Sequence, residues 1–261
     1  MQTSLADIAW QVEEVGLNLR PAPVETYMDG WLIRSSGGPV RRINALCATP
    51  YRSSRFEPIL EESERIFQSM GRPTIVKVLS IADDIDGLLE KRGYGSEGYS
   101  HVLLAENIAR RQDMSIANVQ EGSADNAWLD AWASIGKPAS AEARFVFENS
   151  IRKIVLPKAY AALKIDGEIV SMAYGVIHRG VLGIDAVATR PASRGHGYAR
   201  SVVSALQGWA AGKGVGASCL CVEVDNTAAL ALYRSCGFGL HLYDYHYRVR
   251  ELSPVVADNM V

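Results

Sequence analysis

Two blocks of this chain pass through the same order of local signals. Residues 45–94 (ALCATPYRSSRF…LLEKRGY) and 186–238 (AVATRPASRGHGY…YRSCGF) each run from Ala-Thr to a proline. A helical stretch, a glycine, a valine-rich strand, a short helix and a Gly-aromatic pair then follow. Self-similarity of this kind restricts the fold to one in which an α/β unit occurs twice. Few identities link the blocks. Two readings therefore stand, an ancient duplication or two α/β segments with a generic rhythm. One difference separates them. The first block has YRSSRF (51–56) where the second has SRGHGY (193–198), and Leu89 where the second has Tyr233. If the duplication holds, the first copy has lost its site. The boundary then falls in the polar stretch NIARRQDM (107–114), which gives an N-terminal lobe of residues 1–112 and a C-terminal domain of residues 113–261.

The second half has the clearer pattern. SIANVQ (115–120) reads as a first strand, and 125–135 and 143–155 as helices. Residues 159–167 and 168–180 read as strands joined by a hairpin turn at Asp166-Gly167-Glu168. VLGIDAVAT (181–189) is strand-like. Ala199, Val202, Val203, Leu206 and Ala210 then recur with helical spacing. SCLCVEV (218–224) is a strand with Leu220, Val222 and Val224 on one face. Residues 225–238 open with a capping Asp-Asn pair and close on Gly237, as a short helix does. HLYDYHYRV (241–249) alternates as a final strand. The result is a mixed α/β sheet domain.

Composition narrows the function classes. A net charge of −2 over 261 residues gives no electrostatic reason to expect nucleic acid or an anionic membrane as partner. The N-terminus lacks the basic start and apolar core of a signal peptide. No apolar run approaches the length of a membrane span. Cys47, Cys219, Cys221 and Cys236 form no C-x-x-C pair, so neither a zinc site nor a disulfide framework is expected. A reducing cytoplasm fits these features, with a monomer or homodimer expected.

The stretch between 193 and 200 carries the chemistry. A strand that turns directly into a helix exposes unpaired N–H groups, which favour an anion. Gly195 and Gly197 let a ligand approach the backbone, and Arg194 adds donors suited to phosphate. Position 200 is Arg, so the third glycine of a dinucleotide fingerprint is missing, and no G-K-[ST] follows. On the next helix Asn226, Ala229, Leu230 and Tyr233 share one face. Asn226 either contacts a ligand or caps its helix, and Tyr233 either reaches a ligand or packs its ring.

Together these residues resemble the GNAT superfamily of acyl-CoA-dependent N-acyltransferases. Arg194-Gly195-His196-Gly197-Tyr198-Ala199 fills the family's R/Q-x-x-G-x-G/A pattern. Asn226, Ala229, Leu232, Tyr233, Gly237 and Phe238 fill N-x-x-A-x-x-L-Y-x-x-x-G-F. The resemblance implies the GNAT fold, duplicated as in tandem members, with a degenerate first copy. It implies acetyl-CoA as cosubstrate and no metal. The pyrophosphate would lie on the amides of Gly195, His196, Gly197, Tyr198 and Ala199 beside Arg194. The pantetheine arm would pair with Val187, Ala188 and Thr189 and bond to Asn226. Tyr233 would protonate the leaving thiolate. The acetyl group would pass to a primary amine, on a small molecule or a peptide, by direct attack. Alternatives are another acyl group or acceptor, or a non-enzymatic acetyl-CoA-binding regulatory module.

The amine must lose a proton before attack. Asp185 is the first candidate base, with a salt-bridged strand residue as the plain alternative; Glu223 is the second. His196 is expected to act through its backbone rather than its ring. His178, His241 and His246 read as surface or edge residues. Trp128, Trp132, Phe145 and Phe147 read as core or as an acceptor pocket. Asp125, Asp130, Glu142 and Glu148 would favour a cationic amine or form a solvated helix face.

Overall fold

The computed structural model describes residues 4–108, 115–135 and 139–252. The expected boundary at 112/113 lies outside the described residues. The first half runs α1 (Leu5–Leu19), β1 (Val24–Met28), β2 (Trp31–Ser35), a 3-10 turn (Arg41–Ile43) and β3 (Leu46–Ala48). It continues with α2 (Phe56–Ser69), β4 (Thr74–Leu79), α3 (Asp86–Lys91) and β5 (Gly95–Glu106). The second half runs β6 (Asn118–Glu121), α4 (Asn126–Ser134), α5 (Ala141–Arg152), β7 (Lys158–Ile165), β8 (Glu168–His178) and β9 (Val181–Thr189). It ends with α6 (Tyr198–Gly212), β10 (Ala217–Glu223), α7 (Thr227–Ser235) and β11 (Leu240–Arg250). The order β3-α2-β4-α3-β5 is therefore repeated as β9-α6-β10-α7-β11.

The eleven strands among the described residues lie in one mixed sheet, in the order β1-β2-β3-β4-β11-β5-β10-β9-β8-β7-β6. Within each half the strand before the long helix runs parallel to the one after it, β3 with β4 and β9 with β10. The last strand of each half then crosses into the other. β5 pairs antiparallel with β10, from Ala217↔Glu106 to Glu223↔Ser100. β11 pairs antiparallel with β4, from Tyr245↔Leu79 to Arg250↔Thr74. β5 and β11 also pair with each other at the centre. Neither half closes its own sheet, because the strand that covers each inner edge comes from the other half. Hydrophobic alternation locates a strand but does not choose its neighbour, so this exchange is invisible in the sequence pattern.

Helices cover both faces. α6 buries Val202, Val203, Leu206 and Ala210 against Ala161, Leu182, Leu220 and Val222. Val224, expected beside Leu220 and Val222, lies past the end of β10 and is exposed. α1 lies on the opposite face and reaches across the seam. Its Ala9, Val12 and Val15 pack with Val102, Cys219, Tyr243 and Tyr245. Its buried Glu13 accepts hydrogen bonds from Lys77 Nζ (2.6 Å) on β4 and from Tyr243 Oη (2.7 Å) on β11. Its last turn accepts the Tyr174 hydroxyl at the Leu19 carbonyl (2.9 Å). A helix of the first half thus helps roof the second.

Candidate active site

β9 and β10 are paired only over Ala217↔Val181, Ser218↔Leu182 and Cys219↔Gly183. Beyond Gly183 the strands part, and the β9 edge toward β10 has no strand partner there. A bulge helps turn β9 away. Its register against β8 shifts between Met172↔Ala188 and Tyr174↔Asp185, and Ala186 has φ of 54°. Val187, Ala188 and Thr189 therefore lie along the outer arm of a V, half-buried. The Thr189 hydroxyl is turned to Ser171 Oγ on β8 (2.9 Å), which leaves the backbone as its contribution to the V.

The chain then passes Pro191–Ser193 and enters α6. Gly195 (φ 81°) and Gly197 (φ 77°) both have left-handed backbones, and Gly197 is the N-cap. No side chain caps α6, so its first N–H groups keep their capacity to bind an anion. A Cβ placed on either glycine would meet no atom within 4 Å. Packing does not demand these glycines. The backbone angles do, together with open space in front of the amides. A surface hollow of about 220 Å³ adjoins this turn, bordered by His196, Tyr198, Arg200 and Ser204 among others. The His196 ring is exposed, faces the Arg194 carbonyl (3.0 Å) and stacks on Tyr198. Its imidazole thus folds back on its own turn, consistent with a backbone role.

α7 supplies the other wall. Asn226 is its N-cap, and its Oδ1 accepts the Ala229 N–H (3.1 Å). That is the capping role, and its amide nitrogen stays available to a ligand. Tyr233 is buried within the cluster that also holds Val187, Tyr198, Leu220 and Val222. The three motif segments therefore converge. Among the described residues the Tyr233 hydroxyl has no hydrogen-bond partner. Burial raises its pKa most, and the negative charge of Asp185 adds to the rise. The phenol stays protonated through the neutral range and is available as a donor.

Asp185 has a different place from that of an expected base. Its carboxylate is 11% exposed and bonds to Arg20 (3.1 Å) and Arg42 (3.2 Å), both from the first half. It also accepts the Ala186 N–H (2.7 Å) and the Tyr174 hydroxyl (3.3 Å). Burial alone would push its pKa up, but the two guanidinium groups hold it well below the usual carboxylate range. A carboxylate so stabilised is a weak proton acceptor. The salt-bridged alternative is the one the geometry favours, and Asp185 ties the halves together. Arg20 and Arg42 gave no sequence signal, because their partner lies more than 140 residues away.

On the α1 side of the sheet a cleft of about 350 Å³ opens between the halves. The Pro39–Arg42 loop forms one wall, and Asp185, Cys221 and Glu223 form another. Ser100, Tyr245 and Tyr247 from the exchanged strands form the floor. Glu223 is exposed there. Among the described residues the buried Tyr247 hydroxyl has no partner. Burial raises the pKa of the Cys221 thiol, which keeps it a poor nucleophile although it borders the cleft.

The aromatic residues of α4 and α5 are mainly core. Trp128 is buried and donates to the Ala161 carbonyl (3.1 Å), and Trp132 stacks on Phe147 at 3.8 Å. Phe145 is exposed. Asp125 caps α4, and Asp130 and Glu148 both pair with Arg144. These three carboxylates are engaged in helix contacts.

A repeated α/β unit, parted parallel strands and an uncapped glycine turn define a two-lobed protein of N-acetyltransferase architecture. Residues 124–238, within the second half, match the acetyltransferase (GNAT) family model. The whole chain shares its fold with a GCN5-related N-acetyltransferase from Kribbella flavida, at 16% identity, 99% coverage of both chains and TM-score 0.69. A tandem GNAT protein from the clavulanic acid biosynthesis pathway is also similar, at 11% identity, 93% and 88% coverage and TM-score 0.64. A GCN5-related N-acetyltransferase from Sphaerobacter thermophilus matches over 80% of this chain and 74% of its own, at 20% identity and TM-score 0.56. A search of curated proteins gives no match. No helix among the described residues is long and apolar enough to cross a membrane.

Proposed function

We propose that the second half transfers an acetyl group from acetyl-CoA to a primary amine by direct attack. The observation that carries this reading is the V between β9 and β10, with an uncapped α6 terminus at its outer end and the partnerless Tyr233 phenol beside it. The amides of Gly195–Ala199 and the Arg194 side chain suit a pyrophosphate, and the free edge of Val187–Thr189 suits an extended amide-bearing arm. The open space in front of Gly195 and Gly197 fits such a ligand.

The acceptor would enter through the cleft on the opposite side of the sheet. There Glu223, rather than the clamped Asp185, takes the ammonium proton, directly or through water. The amine nitrogen attacks the thioester carbon and the C–S bond breaks. The thiolate then gains a proton or hydrogen bond from Tyr233. A backbone N–H of β9 aimed at the carbonyl oxygen stabilises the charge that develops there. The products are an amide and free CoA. The raised pKa of Cys221 supports attack by the amine without a covalent enzyme intermediate.

The test is release of free CoA thiol from acetyl-CoA with a panel of small amines and peptides. At least one amine should turn over, and Glu223→Gln should slow it more at neutral than at alkaline pH, where free amine is abundant. Thermal stabilisation by acetyl-CoA without turnover on any amine would convert the reading to a regulatory binding module. Absence of stabilisation would remove acetyl-CoA itself.

A further inference from the structure

The exchanged strands bring together a side-chain cluster unrelated to the acetyl-transfer site. His101 lies on β5, and His241 and Asp244 lie on β11. His101 Nδ1 and His241 Nε2 each stand 2.6 Å from Asp244 Oδ1, and the three donor atoms all fall within 4.8 Å of one another. On an undisturbed strand residues 241 and 244 would point to opposite faces. Here the register slips between His241↔Leu103 and Tyr243↔Val102, with Leu242 as the extra residue. The bulge restores parity, so His241, Asp244 and His101 share one face. Chain spacing hid the cluster, since one ligand comes from the other half and the other two depend on a bulge.

We infer that His101, His241 and Asp244 form a binding site for one divalent transition-metal ion of the zinc type. Two imidazoles and a carboxylate are a donor set that zinc, cobalt and nickel accept. With metal–ligand bonds of about 2.0–2.2 Å, tetrahedral donors stand roughly 3.4 Å apart. The observed cluster reaches that spacing by small side-chain rotations, with the carboxylate moving off its two hydrogen bonds and the rings closing in. The side chains are 30% (His101), 50% (His241) and 49% (Asp244) exposed, which leaves a fourth position open to water. Among the described residues no carboxylate or carbonyl supports the far ring nitrogens. Affinity should therefore fall roughly 10–100-fold below that of a fully supported site.

The ion would tie a strand of the first half to a strand of the second. Ser100 and Tyr245, the adjacent residues on the same two strands, line the acetyl-acceptor cleft from the other face. Its role would be to brace the seam beneath that cleft, and it has no part in acetyl transfer.

The experiment uses the full chain stripped with chelator. Titration with Co(II), read by its visible absorption, should show one equivalent bound and displaced by zinc. Zinc should raise the unfolding midpoint. His241→Ala and Asp244→Asn should each weaken binding at least tenfold, with circular dichroism confirming that both variants are folded. His178→Gln, which removes a half-buried histidine paired with Glu14 and away from the cluster, should bind as the unaltered chain does. The cluster is only a hydrogen-bonded triad, and the inference fails, if the unaltered chain takes up no cobalt or zinc. It fails equally if both cluster variants bind undiminished.

Discussion

The corner from β9 into α6 and the corner from β3 into α2 occupy equivalent places in the two halves, and only the α6 corner carries left-handed glycines. In the second half, two left-handed glycines expose amides to open space. In the first half the turn is filled by its own chain. A Cβ on Gly30 would stand 2.2 Å from the Tyr51 carbonyl oxygen. Trp31 donates its indole N–H to the Ser53 carbonyl (3.3 Å), and Ser53 donates its N–H to Asp29 (2.7 Å). Arg52 lies over the rings of Trp10 and Trp31 and pairs with Asp84 (2.6 Å). Phe56, the first residue of α2, is buried against Trp31. The second, shorter helix of each half, α3 or α7, ends in the same turn, with Tyr94 N–H to the Leu89 carbonyl and Phe238 N–H to the Tyr233 carbonyl, both 3.0 Å. The scaffold is therefore kept in both halves. What differs is whether the protein's own backbone and side chains press into the corner.

The sharpest way to break this comparison is at Tyr233 and its counterpart Leu89. Tyr233→Phe removes one hydroxyl that has no hydrogen-bond partner among the described residues. Turnover should fall by about 10²–10⁴-fold with acetyl-CoA binding retained. Leu89 is fully buried in the packed first half. Leu89→Tyr should leave turnover unchanged and cost about 1–3 kcal/mol of stability by overpacking, measured by denaturant unfolding. Equal loss of turnover in both variants would mean that the halves share one function.

Much of this contrast was legible in the sequence. The missing glycines of YRSSRF and the Leu89-for-Tyr233 replacement marked the first corner as altered, and helical and strand periodicity located most elements of the second half. The arrangement of the halves was not legible. β5 and β11 carry ordinary strand patterns, and the choice of partner strand is made by long-range pairing. The Asp185 clamp was hidden for the same reason. An acid on a strand entering a site looks like a base until the two arginines that neutralise it are seen.

Asp185 gives the next largest effect. Asp185→Asn leaves Arg20 and Arg42 without their carboxylate, and the buried Arg20 Nε already has no partner among the described residues. Breaking such a buried pair costs about 3–5 kcal/mol. The variant should unfold at lower denaturant, while turnover per folded molecule stays within a few-fold. A collapse of turnover with stability intact would restore Asp185 as the base. The acid response has the same origin. The folded-state pKa lies below the ordinary value of 3.8, so the clamp stabilises the fold above that pH and is lost as pH falls through the acid range. The stability of the unaltered chain should decline there more steeply than that of Asp185→Asn.

Gly197→Ala probes the open corner directly. Alanine at φ of 77° costs on the order of 1–2 kcal/mol. Its methyl meets nothing in the protein, so the added consequence falls on whatever binds before the amides. The KM for acetyl-CoA should rise by more than the loss of stability accounts for, with kcat changed less. An unchanged KM would separate the glycine turn from the cofactor.

The smallest expected effect comes from emptying the filled corner. Arg52→Ala removes a guanidinium lying over two indoles and an ion pair whose acid is largely exposed, worth about 1 kcal/mol together. If side-chain filling alone had closed the first corner, this variant would gain a second acetyl-CoA site. The backbone argues otherwise. Gly30 still presses on Tyr51 and Arg52, and Phe56 still fills the start of α2. Calorimetry should therefore find one acetyl-CoA per chain before and after the substitution. A second equivalent in Arg52→Ala would mean that the first half has kept a usable cradle behind one side chain.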